Sequence, residues 1–488
     1  MQFFKKAESE AAADHQNFIN GQFVPSSSPT VDVFNPATNA LIARVPDSSS
    51  ETVSQAVQAA KAAQPAWERR PAIERASYLR AIAEKLRANL EPLARIITEE
   101  QGKILPLARI EVSFTADYLD YMAEWARRIE GEVLTSDRAG ESIFLLRKPV
   151  GVVAGILPWN FPFFLIARKM APALITGNTI VVKSSEETPL NAFAFAKLVA
   201  ESGLPPGVFN LVSGTGAVAG VALSSHPDVG LISFTGSVET GVNIMQTAAR
   251  NLTRVNLELG GKAPAIVLAD ADLDLAARAI YDSRVINTGQ VCNCAERVYV
   301  QRAVADSFID RVARLMKNTR FGDPLADPDV QMGPLINRSA LLKVAAMVKR
   351  ARDEGAEAVT GGQPIDLGSG YHYEPTVLTN CRRDMEIMRK EIFGPVLPIQ
   401  VVDSLEEAVQ LANDSDYGLT SSIYTNDLNS AMRACRDLRF GETYVNRENF
   451  EAIQGFHAGR RKSGIGGADG KHGLYEYTET HVVYMQHG

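Results

Sequence analysis

The chain has 488 residues, too many for one small core; at roughly 150 residues per domain it should fold as about three units. A hydrophobic fraction of 45% with 22% charged residues excludes a disordered or low-complexity chain. Fifty Lys and Arg against 57 Asp and Glu leave a net charge of −7, which offers no overall footprint for nucleic acid or an anionic membrane.

The opening MQFFKKAESEAAADHQ lacks an apolar h-region and does not read as a secretory signal. Residues 18–46 read as short strands and turns. Ser48 and Glu51 have capping-box spacing ahead of a helix whose apolar face carries Val53, Ala56, Val57 and Ala60. Pro65 and Pro71 should interrupt that segment, and further helices are expected over about 72–100 and about 108–130. The uncharged run Pro149–Ala167 approaches the length of a membrane span, but three prolines, Asn160 and two glycines make it a buried strand and turn. From there to about residue 260, short apolar runs alternate with helices, which predicts a parallel sheet covered on both faces. Residues 263–460 repeat the style as a second α/β unit. The tail HVVYMQ reads as a strand that pairs with another part of the chain or another subunit. No internal repeat or disordered linker is evident.

Only four cysteines occur, Cys292, Cys294, Cys381 and Cys435, which is no disulfide framework and fits a reducing cytoplasm. Cys292 and Cys294 are spaced C-x-C without the second ligand pair that zinc requires, so no metal is expected. Cys292 is either a buried apolar thiol or a nucleophile, and its polar, turn-like surroundings (Gly289, Gln290, Asn293, Glu296) favour presentation to a substrate. Glu258 ends a strand before Gly260 and Gly261; it is a solvated turn residue or a general base on water. Asn160, in the rigid turn PWNFP, stabilises its own turn or serves as an oxyanion donor. Three strand ends carry possible nucleotide signals: SGTGAVAG at Ser213–Gly220, FTGSVETG at Phe234–Gly241, and Lys183 with Glu186. The first misses the dinucleotide fingerprint by one residue, and each taken alone is only a turn. In the second, Ser237 and the free N–H groups at a helix start suit a pyrophosphate.

Taken in order, PWNFP, the K-x-x-E of Lys183–Glu186, FTGSVETG, LELGGK, GQVC and EIFGPV resemble the aldehyde dehydrogenase superfamily, over nearly the whole chain. The stretches NTGQVCNCAERVYVQ and YVNRENFEAIQGFHAGRRKSGIGGADGKHG are similar to its lactaldehyde/glycolaldehyde branch. The resemblance implies an α/β fold with two parallel-sheet domains, a Rossmann-like NAD-binding domain (1–126 and 149–260) and a catalytic domain (261–461). A small oligomerisation sheet (127–148 and 462–488) completes it, in a homotetramer built as a dimer of dimers. Cys292 then matches the nucleophile, Glu258 the base that activates water, and Asn160 the oxyanion donor. Lys183 and Glu186 match the residues on the adenosine ribose of NAD, and Gly236 and Ser237 the pyrophosphate turn. Gly216 lies on the adenine side, Glu391 on the nicotinamide ribose and Phe393 beside the nicotinamide, with Ile156 and Trp159 also among the cofactor contacts. Ser184 replaces the proline common after the motif lysine.

Three departures point to the substrate. Many relatives carry aromatics where Arg168 and His457 stand, and a small or apolar residue where Asn293 follows the nucleophile. Polar groups at the mouth of an apolar tunnel suit a small hydroxylated aldehyde, unless Arg168 merely pairs with an acid such as Glu296. The competing readings are an enzyme for another polar aldehyde such as succinate semialdehyde, a CoA-acylating relative, which Glu258 argues against, and a non-catalytic NAD-binding scaffold.

Overall fold

The computed structural model describes residues 13–25 and 28–487; the opening segment read above as lacking a secretory signal lies mostly outside them. Two α/β units dominate. The first is built on an eight-stranded sheet whose order is Gly464–Ile465, Arg254–Glu258, Leu231–Thr235, Val152–Ile156, Thr179–Lys183, Phe209–Val212, Asn17–Ile19 and Gln22–Val24. Its five central strands run parallel and its edges antiparallel. The strands at 152–156, 179–183 and 231–235 are buried at every residue, as expected where helices cover both faces of a parallel sheet.

The second unit holds a seven-stranded sheet in the order Glu357–Thr360, Thr376–Thr379, Val396–Val402, Ala295–Gln301, Ala263–Val267, Thr420–Tyr424 and Glu442–Val445. The tail strand Thr478–Gln486 pairs antiparallel with Glu141–Pro149 along its length, and Glu132–Thr135 completes a three-stranded sheet. Residues 464–465 depart from expectation: instead of leaving with the tail they pair with Leu257 and Glu258 at the edge of the first sheet. Among the described residues no helix is long and apolar enough to cross a membrane.

Local details correct the sequence reading in three places. The first helix, Ser50–Arg69, is capped by Ser49, whose hydroxyl accepts the Thr52 N–H at 3.2 Å. Ser48 is instead buried against Asn17 Nδ2 at 2.8 Å. Pro65 lies inside this helix without ending it. A proline forfeits one backbone bond, while the next turn is anchored by buried Trp67, whose indole N–H donates to Leu174 O at 3.1 Å. The segment expected as one helix over 72–100 is two, Ala72–Ala88 and Leu90–Gln101, because Asn89 leaves helical geometry (φ −118°, ψ 25°) and donates its side-chain amide to Lys85 O. The helix after it starts at Leu105, with proline in its first turn, and ends at Ala123 in a short 3-10 turn to Arg127.

These helices fill the core on one side of the first sheet, where Leu79, Ile82 and Leu86 are wholly buried with Leu119, Phe163 and Ile166. Ile82→Ala is expected to lower stability by about 2–5 kcal/mol, read as an earlier thermal unfolding midpoint; an unchanged midpoint would show that this layer packs loosely.

Candidate active site

The site lies at the carboxyl ends of the first sheet's strands, where open parallel sheets place ligands. Helix Leu273–Val285 from the second unit leads into it through Asn287, Thr288 and Gly289, three successive residues at positive φ (48°, 61° and 73°). Side chains hold this uncommon backbone: Asn287 Nδ2 donates to Asn160 O at 3.1 Å, and Thr288 Oγ1 to Gly333 O at 2.9 Å. A Cβ at position 289 would come within 2.3 Å of Gly394 O, so glycine is required. The turn delivers Cys292 partly exposed, while Cys294 is buried. Burial pushes the Cys294 thiol up to about 12, which makes it inert. Burial raises the Cys292 thiol too, but there the His457 ring works in the opposite direction.

Asn160 faces this turn. Its side-chain amide spends one hydrogen on Gln290 O at 3.0 Å, leaving the second for an oxyanion. Its own carbonyl takes hydrogen bonds from Asn287 and, at 2.8 Å, from Lys103 Nζ. Lys103 is wholly buried, pairs with equally buried Glu111 at 2.5 Å and lies 3.5 Å over the Phe161 ring. Glu111 in turn accepts the N–H groups of Phe163 and Phe164 at 2.9 and 3.1 Å, at the start of helix Phe164–Thr176. A buried ion pair thus clamps the PWNFP turn from both sides. Neither residue stood out in the sequence; the available signal was a glutamate on the apolar face formed by Leu107, Ala108 and Val112.

Glu258, at the end of its strand, lies 3.7 Å from Arg168 Nη1. Arg168 is buried and grips Asp469 through both Nε, at 3.0 Å, and Nη2, while Nη1 reaches Glu451 at 3.4 Å. The acid it meets is therefore Asp469 and not Glu296. Glu296 belongs to a separate buried cluster, pairing with Lys262 at 2.7 Å and Arg284 at 2.8 Å. Burial opposes its ionisation, yet those two cations hold its carboxyl down at about 2. Asn293 donates to Glu451 Oε2 at 2.5 Å, and His457 Nδ1 lies 2.5 Å from Glu442 Oε1. Arg168, Asn293 and His457, far apart in sequence, thus stand in one buried polar cluster with Glu258 and Cys292. Glu451 and Glu442 complete it, and neither was singled out by the local pattern around it.

The residues matched to a dinucleotide lie at neighbouring strand ends and turns. Lys183 Nζ pairs with Glu186 at 3.0 Å, and Glu186 also accepts the Gly216 N–H at 3.4 Å. Buried Ser184 leaves its hydroxyl without a partner among the described residues. A Cβ on Gly216 would meet only Glu186, at 3.9 Å, whereas one on Gly236 would strike the Phe234 ring at 2.4 Å. Ser237 caps helix Val238–Ala248 by accepting the Thr240 N–H at 3.2 Å, and the first N–H groups of the helix have no intrahelical acceptor. Ile156 ends its strand, and the Trp159 and Phe393 rings meet edge-on at 5.5 Å. Glu391 accepts the Gly261 N–H at 2.8 Å, and burial together with nearby Glu296 pushes its carboxyl up to about 7.

The model of the aldehyde dehydrogenase family matches residues 23–483. The chain belongs to that family. It is 60% identical to lactaldehyde dehydrogenase of Escherichia coli, over 97% of this chain and 98% of that protein. The crystal structure of the E. coli lactaldehyde dehydrogenase superposes with a TM-score of 0.97, covering 98% of this chain and all of that one. Betaine aldehyde dehydrogenase of Staphylococcus aureus, solved in complex with NAD+, is 36% identical, with a TM-score of 0.94 over 97% of this chain and 95% of its own. The protein is thus an aldehyde dehydrogenase.

The clamp on the oxyanion turn can be tested directly. Lys103→Met leaves Glu111 buried without a counter-charge and frees the Asn160 carbonyl. It is expected to cost about 3–5 kcal/mol of stability and to lower kcat at least about tenfold. Wild-type kcat and unfolding midpoint would show that the turn holds Asn160 unaided.

Proposed function

We propose that the protein oxidises a short 2-hydroxyaldehyde, lactaldehyde or glycolaldehyde, to its carboxylate with NAD as oxidant. The carrying observation is the buried cluster of Arg168, Asn293, His457 and Glu451 beside Cys292. Such a lining disfavours a long apolar aldehyde, which would strip water from charged groups and return no hydrogen bonds. A hydroxyl that both donates and accepts restores them. The 60% identity to a lactaldehyde dehydrogenase supports the same reading. Succinate semialdehyde would need Arg168 for its distal carboxylate, and that guanidinium is already committed to Asp469 and Glu451.

These strand ends and turns suit NAD. Glu186 would accept the adenosine ribose hydroxyls and repel a 2′-phosphate, Lys183 would stand beside it, and the first turn of helix Val238–Ala248 would take the pyrophosphate. Glu391 would face the second ribose and Phe393, with Trp159 and Ile156, the nicotinamide end. When bound, the cofactor supplies the hydride acceptor. The protein's own residues do the rest. The Cys292 thiolate adds to the aldehyde carbon, and the free amide hydrogen of Asn160 with the Cys292 N–H receives the oxyanion. Once the carbon is oxidised, Cys292 holds it as a thioester. Glu258 takes a proton from water, whose oxygen attacks the thioester carbonyl; the C–S bond then breaks with its electron pair on the Cys292 sulfur, and the carboxylate leaves.

The assembly we propose is a cytoplasmic homotetramer built from dimers, with the three-stranded sheet at an interface. Val133, Leu134, Leu146, Val482 and Tyr484 are apolar or aromatic residues exposed on that sheet, in a number that favours coverage by another subunit.

Five aldehydes test the substrate. Lactaldehyde and glycolaldehyde should exceed propanal and acetaldehyde in kcat/KM by at least about tenfold, or roughly 1.4 kcal/mol. Succinate semialdehyde as the best substrate, or indifference to the 2-hydroxyl, would overturn the assignment. The two-step chemistry is tested by Glu258→Gln, which should slow thioester hydrolysis more than oxidation, so that rapid mixing shows an NADH burst approaching one per site. Loss of the burst itself would place Glu258 in the first step.

A further inference from the structure

Glu296 sits near the start of strand Ala295–Gln301 with 1% of its side chain exposed. Each of its carboxylate oxygens takes one cation and one backbone N–H. Oε1 accepts from Arg284 Nη1 at 2.8 Å and from Phe393 N at 3.1 Å, and Oε2 accepts from Lys262 Nζ at 2.7 Å and from Ile392 N at 2.9 Å. The two N–H groups belong to the turn that enters strand Val396–Val402, the parallel neighbour of the strand carrying Glu296. Charge pairing alone would need no N–H group; this carboxylate also fixes a segment of backbone. That segment needs fixing, because Phe393 is held at φ 57°, a region an aromatic residue seldom adopts. The cluster also closes on itself. Lys262 directly follows Gly261, whose N–H donates to Glu391 at 2.8 Å, and Glu391 directly precedes Ile392. Glu391 is thus braced by Gly261 on one side and through Glu296 on the other. There is little room for it to shift, since a Cβ on Gly260 would come within 2.5 Å of a Glu391 oxygen. The residues read as holding the adenosine half, Lys183, Glu186 and Ser237, stand on the first sheet and its turns with partners of their own.

We infer that Glu296 is a positioning residue for the nicotinamide half of the cofactor: it holds the turn of Glu391, Ile392 and Phe393 in its binding conformation before the cofactor arrives. The inference rests on the reading of Glu391 and Phe393 as the nicotinamide end of the NAD site. Glu296 acts through the backbone of its neighbours and is given no contact with a reacting atom. A turn ordered in advance does not draw on the binding free energy for its own immobilisation. Because the adenosine half is built on other elements, the two halves of the cofactor respond separately to the loss of this anchor.

The charges around Glu296 strengthen the anchor. Burial opposes its ionisation, yet Lys262 and Arg284 hold its carboxyl at about 2, so it meets Ile392 and Phe393 as an anion. Hydrogen bonds to an ionised acceptor are roughly twice as strong as those between neutral groups. The alternative is a cluster that only stabilises the second sheet. In that case loss of Glu296 would weaken both halves of the cofactor alike, or neither.

Two measurements test this, the first on the unaltered protein. Hydrogen exchange without cofactor, read by mass spectrometry on fragments spanning the turn, should find the Ile392 and Phe393 amides slowed at least about a hundredfold relative to an unstructured chain. Adding NADH should slow them little further. Exchange at unstructured rates until NADH is present overturns the proposal. The second measurement compares NADH with ADP, which carries the adenosine half alone, by titration calorimetry. Glu296→Gln should raise the Kd of NADH at least about tenfold and leave that of ADP within about twofold. Because Gln leaves Lys262 and Arg284 buried without their counter-charge, Glu296→Gln combined with Lys262→Met is measured beside it and should show the same split. A folded variant that binds both ligands as the wild type does, or loses both alike, overturns the proposal. Wild-type protein that binds neither NADH nor ADP would instead overturn the assignment of the NAD site, a separate failure.

Discussion

A guanidinium placed inside a protein must find carboxylates, and Arg168 finds three. It projects from a helix buried at every residue and meets Asp469, Glu451 and Glu258, which come from three separate stretches of chain. Removing one partner of such a buried group typically costs about 3–5 kcal/mol, so these segments are tied to one another. That tie positions much of the pocket. Glu451, held on one side by Arg168, takes Asn293 on the other. Glu258 stands 3.7 Å from the same guanidinium. The placement of Glu258, Glu451 and Asn293 therefore depends on a single cation.

A second buried cluster performs the matching task on the cofactor side. Glu296, held by Lys262 and Arg284, accepts the backbone N–H groups of Ile392 and Phe393 at 2.9 and 3.1 Å. Phe393 sits at positive φ, uncommon for an aromatic residue. Since Glu296 is only four residues beyond Cys292, one short stretch of chain fixes both the nucleophile and the turn that carries Glu391 and Phe393. Displacement of that stretch would disturb both.

What the sequence disclosed follows from range. Parallel strands, the PWNFP turn, the glycine turns and the cysteine are local patterns that marked Cys292, Glu258 and Asn160 as candidates, while their roles came only from the family resemblance. Arg168, Asn293 and His457 were legible as departures from a resemblance. Their partners were not: the bond from Arg168 to Asp469 spans 301 residues and that from Asn293 to Glu451 spans 158. No spacing rule encodes such pairings, and a surface glutamate and a buried one look alike in a string of letters. The helix details failed for a smaller reason. Ser48 and Ser49 are adjacent and chemically identical, so only the backbone decides which of them caps, and Pro65 is tolerated because packing around Trp67 outweighs one lost bond.

The short return strand at Gly464–Ile465 has a consequence for the order in which the protein is made. The strand carrying Glu258 is an edge until residues 464–465 pair with it, and Arg168 lacks its firmest partner until Asp469 emerges. Domains generally fold as units while the ribosome extends the chain, but here the first unit cannot close before almost all of the second has been translated. The nascent polypeptide therefore carries its reactive sulfur, from the making of Cys292 until Asp469 has emerged, without the pocket that directs it. Catalytic competence is withheld from truncated products, and a prematurely terminated chain lacking only its last few dozen residues would be released inactive.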